Sequence, residues 1–64
     1  MKLTDPQVQA LRAADDGNLY QKRPDGRYHS QATIDGLIFL GLISARFPNW
    51  VTVDGREVLR QVNR

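Results

Sequence analysis

The sequence predicts a small α+β domain, ordered helix, hairpin, short helix, hairpin, helix over residues 1–64. Three observations predict it. Two stretches, Thr4–Gln7 and Asp54–Glu57, have the spacing of a helix capping box. An apolar run, Thr33–Ile43, sits near the middle of the chain. Two turn-like stretches, around Pro24-Asp25-Gly26 and Phe47-Pro48-Asn49-Trp50, are flanked by alternating side chains, as hairpins require.

The first helix is predicted over 5–15. Thr4 is its N-cap and Gln7, three residues on, completes the box. Leu3 and Val8 occupy the positions of a hydrophobic staple, and Pro6 falls in the first turn, where a missing N–H costs nothing. Val8, Leu11 and Ala14 form the inward stripe, and Gly17 closes the helix.

Leu19–Ser30 reads as the first hairpin. Pro24 presets φ, Asp25 accepts locally, and Gly26 takes the left-handed position after a type I turn. Pairing Arg23 with Arg27 puts Tyr20, Lys22 and Tyr28 on one face. Gln21, Arg23, Arg27 and His29 take the other, which is polar and basic. Cations interleaved with aromatic rings suit a phosphate backbone, and equally suit an ordinary solvated hairpin.

In the central run, Ile34, Leu37, Ile38 and Gly41 share one stripe of a short helix capped by Thr33 and ended by Gly41. Asp35, Gly36 and Phe39 then face away. No Lys or Arg occurs from Gln31 to Ala45, so this helix lacks the donors that read base edges. Phe39 either covers the neighbouring hairpin or offers a contact surface.

Ile43–Val53 reads as the second hairpin, with two registers open. Phe47 opposite Val51 leaves Trp50 at the tip; Phe47 opposite Trp50 makes a two-residue loop. Trp50 either folds over the core or anchors a partner. Asp54 then caps the last helix, with Val53 and Val58 as staple and Val58, Leu59 and Val62 inward. Arg56, Arg60 and Arg64 lie outside.

Composition narrows the classes. A chain of 64 residues, 41% hydrophobic and 25% charged, forms one domain with a thin core, and self-association is a reasonable expectation. Nine Lys and Arg against seven Asp and Glu give a net charge of +2, which permits a polyanion partner without requiring one. The chain contains no cysteine, so it has no disulfide and no thiolate metal site. His29 is the only histidine and has no ligand set around it; no metal and no cofactor are expected. No apolar run spans a bilayer, and no signal-peptide core precedes the first helix, which points to a complete cytoplasmic protein with no membrane partner.

The segments Leu3-Thr4…Gln7…Ala10-Leu11, Thr33-Ile34…Leu37…Gly41-Leu42-Ile43 and Val51-Thr52-Val53-Asp54-Gly55-Arg56…Leu59 together resemble small winged-helix domains of the MarR-like type. The resemblance covers nearly the whole chain. It implies a recognition helix presenting Thr33, Asp35, Gly36 and Phe39, and a wing presenting Arg46, Asn49 and Trp50. It also implies an origin in phages or mobile elements. The chain departs from the family where the Leu19–Ser30 hairpin replaces the usual preceding helix.

The expected function is a small, non-enzymatic DNA-binding or transcription-regulating protein. Lys22, Arg23, Arg27 and Arg46 would contact the backbone phosphates of double-stranded DNA. The alternative is a protein-interaction module or inhibitor, in one form a homodimer, that uses Phe39, Phe47 and Trp50. Paired carboxylates, a nucleophile motif and a glycine-rich phosphate loop are all missing, which argues against an enzyme.

Overall fold

The computed structural model describes residues 2–46 and 48–62. These form three helices, α1 (Asp5–Asp15), α2 (Gln31–Phe39) and α3 (Val53–Val62), joined by two long connections. Helix α1 packs against both α2 and α3, which do not pack on each other. Among the described residues the only β pairing is a single antiparallel bridge, Ile43 with Val51. The fold is therefore all-α, and the predicted α+β class is corrected.

Helix α1 follows its local signals. Thr4 Oγ1 accepts the Gln7 backbone N–H, and Gln7 Oε1 accepts the Thr4 N–H at 3.0 Å, so the capping box is closed. At the other end Gly17 has φ +79. Its N–H reaches the Ala14 carbonyl at 3.2 Å, and the Asn18 N–H reaches the Ala13 carbonyl at 2.7 Å. That double return is a Schellman motif, which needs the left-handed residue that glycine adopts without strain. Ala10, Leu11 and Ala14 are buried, while Val8 is half-buried.

Helix α2 ends in the same way. The Gly41 N–H bonds the Ile38 carbonyl and the Leu42 N–H bonds the Leu37 carbonyl, both at 3.0 Å, with Gly41 at φ +76. Its start lies earlier than expected. Ser30, not Thr33, is the N-cap: Ser30 Oγ accepts the Thr33 N–H at 3.1 Å. Gly36, expected to face outward, is half-buried against α1, where an added Cβ would lie 3.3 Å from Gln7 Nε2.

Helix α3 also starts early. Thr52 Oγ1 accepts the Gly55 N–H at 3.1 Å and donates to the Gly41 carbonyl at 2.7 Å. One hydroxyl thus caps α3 and ties it to the end of α2. Asp54 falls inside the first turn, and Glu57 pairs with Arg60 at 3.3 Å instead of closing a box. Only Leu59 of the predicted inward stripe is buried; Val58 is half-buried and Val62 exposed.

Neither hairpin forms a ladder. Around Pro24 the predicted turn is present: the Gly26 N–H bonds the Arg23 carbonyl at 2.9 Å, the Arg23 N–H bonds the Arg27 carbonyl at 2.8 Å, and Gly26 has φ +84. Pairing stops there. Tyr20 and Tyr28, the aromatic side chains of the intended strands, are exposed, Leu19 alone of the stretch is buried in the core, and most of the remainder is polar. A two-stranded ribbon with no apolar face to bury is marginal in water.

The second hairpin stops after one rung, in a register that differs from both expected ones. Ile43 opposes Val51, flanked by Ser44 N–H to the Trp50 carbonyl at 2.8 Å and Thr52 N–H to the Leu42 carbonyl at 3.0 Å. On one side, Gly41 ends α2 and Val53 begins α3, so no strand residues remain. On the other, the Asn49 N–H turns back to the Arg46 carbonyl at 2.6 Å, which takes it away from a further rung. A wing is a paired hairpin, and this connection is not one. The winged-helix resemblance is thereby overturned, together with the recognition-helix and wing roles it implied.

The core joins all three helices and both connections. It comprises Ala10, Leu11 and Ala14 of α1, Leu19 of the first connection, Ile34 and Leu37 of α2, Leu42 and Ile43 of the second connection, and Leu59 of α3.

Candidate functional site

Two connections, 16–30 and 40–52, meet beside the end of α1, and Asn49 holds them together. Asn49 is only 4% exposed and has φ +65, a left-handed conformation that asparagine tolerates better than most side chains. Its Oδ1 accepts the Tyr20 hydroxyl, and its Nδ2 donates to the Ser44 carbonyl at 2.7 Å. The sequence marked Asn49 as a turn residue and, through the resemblance, as an exposed wing residue, and not as a buried one. Its buried amide contact with Tyr20 spans both connections and is invisible to local pattern.

Next to Asn49, the Trp50 side chain is 67% exposed. Its backbone is nonetheless fixed, since its carbonyl takes the Ser44 N–H beside the Ile43–Val51 bridge. Trp50, Pro48 and Tyr20 wall a hollow of about 280 Å³, with Ala14, Gly17 and Leu19 beneath. Trp50 therefore neither folds over the core nor sits at a wing tip. It stands at the rim of an apolar hollow.

A second hollow, of about 460 Å³, lies between α1 and the 18–29 stretch. Arg12, Lys22, Arg23 and His29 line it, with Asp16 as the carboxylate. Arg23 is braced in place: Nη1 donates to Gln9 Oε1 at 3.1 Å, and Nη2 pairs with Asp25 at 3.3 Å. Burial and the Arg23 charge push the His29 imidazole below its ordinary pKa of 6.5, opposed by Asp25. Both causes favour the neutral ring.

The predicted site residues are dispersed. Of the four predicted phosphate contacts, Lys22 and Arg23 share the second hollow, and Arg27 and Arg46 do not line it. The Arg27 backbone N–H bonds Asp25 Oδ1 at 3.0 Å, which secures the turn. The Arg46 carbonyl serves Asn49 and Ser44 while its side chain is exposed. Among the predicted partner contacts, Phe39 is 90% exposed on α2 and covers no hairpin. Phe47 lies outside the described residues.

Among the described residues no three His, Cys, Asp or Glu side chains gather as a metal site would require. No helix formed by them is long and apolar enough to cross a membrane. Compared with known proteins, the chain matches no family model, no curated protein and no solved structure.

Proposed function

We propose that this chain is a small, non-enzymatic protein-interaction module whose partner surface is centred on Trp50. One observation carries the reading. The largest side chain of the protein is exposed on a backbone that is hydrogen-bonded in place, at the rim of an apolar hollow. A rigid aromatic loses little conformational entropy on binding and brings a large apolar area, which is why tryptophan is enriched among interface residues that dominate affinity. The phosphate-contact reading has less support. Arg27 and Arg46 do not join Lys22 and Arg23 in the basic hollow.

The test is a peptide-display selection on the whole chain, with enriched peptides re-measured against Trp50→Ala and Phe39→Ala. Trp50→Ala is expected to weaken binding by roughly thirtyfold or more, the scale of a central interface anchor. Phe39→Ala is expected to leave it unchanged. Failure to enrich any peptide, or peptides indifferent to Trp50→Ala, would overturn the proposal. So would duplex-DNA binding that weakens steeply with salt and is lost in Arg23→Ala/Arg27→Ala, since that behaviour belongs to phosphate contacts.

A further inference from the structure

The aromatic hollow and the basic hollow are neighbours. Gln21 lines both, so the two hollows adjoin, one on the Trp50 and Tyr20 side and the other on the Lys22 and Arg23 side. One side is walled by Trp50, Tyr20 and Pro48. The other carries three cations, Arg12, Lys22 and Arg23, against the single carboxylate of Asp16. The opposing charge nearest Arg23, Asp25, is already paired with it.

Two cations on this side retain binding capacity. Lys22 has an exposed side chain and no ion pair among the described residues. Arg23 is held in orientation by Gln9 and Asp25 through its two terminal nitrogens. Each of these uses one N–H and keeps a second, so the braced fork can still donate to an incoming carboxylate.

Resting on the interaction reading above, we infer that the partner is an acidic peptide segment: an apolar side chain enters the hollow beside Trp50 while a neighbouring Asp or Glu carboxylate meets Lys22 and Arg23. Charge complementarity selects this occupant. An uncharged apolar segment would leave the cationic side desolvated without compensation. A nucleic-acid strand needs a track of cations along its backbone, and here Arg27 and Arg46 do not join Lys22 and Arg23.

Peptides enriched on the whole chain, labelled and titrated by fluorescence anisotropy, test this. They are expected to carry an acidic residue within a few positions of a large apolar one. Lys22→Glu is expected to weaken them about tenfold, more at low salt than at high. Changing the peptide's acid to Lys is expected to restore part of the loss toward Lys22→Glu. Lys22 is exposed and unpaired, so circular dichroism of Lys22→Glu should match the parent, and a changed spectrum would move the test to Lys22→Gln. Peptides that depend on Trp50 but lack an acid and ignore the charge change would overturn the acidic partner and leave the interaction reading standing. Peptides that ignore Trp50 would overturn both.

Discussion

Asn49 shows how much one side chain can determine in a chain this small. Its amide satisfies the Tyr20 hydroxyl and the Ser44 carbonyl, and its backbone sits at φ +65. Asn49→Ala removes both side-chain bonds, each worth about 1 kcal/mol, and adds about 1 kcal/mol for a Cβ forced into the left-handed region. Asn49→Gly loses the same bonds without the added strain. Urea denaturation should therefore rank the parent first, Asn49→Gly about 2 kcal/mol below it, and Asn49→Ala about 3 kcal/mol below it. Equal stability of the two variants would show that the left-handed backbone carries no strain. The sequence offered Asn49 as a turn residue, because asparagine in a Pro-Asn-Trp stretch is a local signal. Its burial depends on Tyr20, 29 positions away, and no local pattern holds that information. Lys22 and Arg23 were similarly visible as cations. That Arg23 would be braced by Gln9 of α1 was not, since it depends on how the connection lies against the helix.

At the scale of elements, legibility follows how local the determining contacts are. Helix α1 was readable at both ends because its capping box and its closing glycine act within four residues. For helix α3 the sequence marked Asp54 with Glu57 as the start, whereas the structure caps it with Thr52. The tertiary bond from Thr52 to the Gly41 carbonyl decides for the earlier start. That start seats Gly55 against the end of α2, and the fit leaves no room for a side chain. A Cβ on Gly55 would overlap the Leu42 carbonyl oxygen and lie 2.8 Å from Val51 Cγ1. Helix propensity alone predicts that Gly55→Ala stabilises α3 by about 1 kcal/mol. The overlap involves backbone, which cannot rotate away, and displacing α3 costs about 3 kcal/mol. Packing outweighs propensity, so Gly55→Ala should lower the melting temperature. A rise would mean that α3 is free to shift from Leu42. The two turns belong to the same pattern. The Pro24-Asp25-Gly26 turn formed as its residues require, but extending it into strands needed an apolar face that Tyr20 and Tyr28 do not bury.

For the molecule as a whole, the Cα radius of gyration is 10.6 Å. A well-packed domain of this length is expected near about 11 Å, so the chain is as compact as its length allows. Its stability nonetheless rests on few side chains, and a core of this size seldom supplies more than about 3–5 kcal/mol. The alternation that suggested strands was real in Ile43 and Val51, but both serve the helical core through a single bridge. Ala45 and Val53, which continue the same alternation, are exposed, so periodicity in so short a stretch fixes neither a sheet nor a buried face. Helix α2 separates the two uses of apolar side chains most sharply. Leu37 is fully buried, and Phe39, two residues on, is 90% exposed. Leu37→Ala removes a core side chain at a cost of about 2–5 kcal/mol, comparable with the whole stability. It should leave the chain largely unfolded by circular dichroism at 25 °C. Phe39→Ala removes a side chain that contacts little of its own chain, and should change the stability read from urea denaturation by less than about 0.5 kcal/mol. Measuring Phe39→Ala and the parent over a hundredfold range of concentration separates the two explanations for its exposure. A parent midpoint that rises with concentration, and a variant midpoint that does not, would place a second copy over Phe39. Midpoints that stay level in both would show that folding owes nothing to self-association.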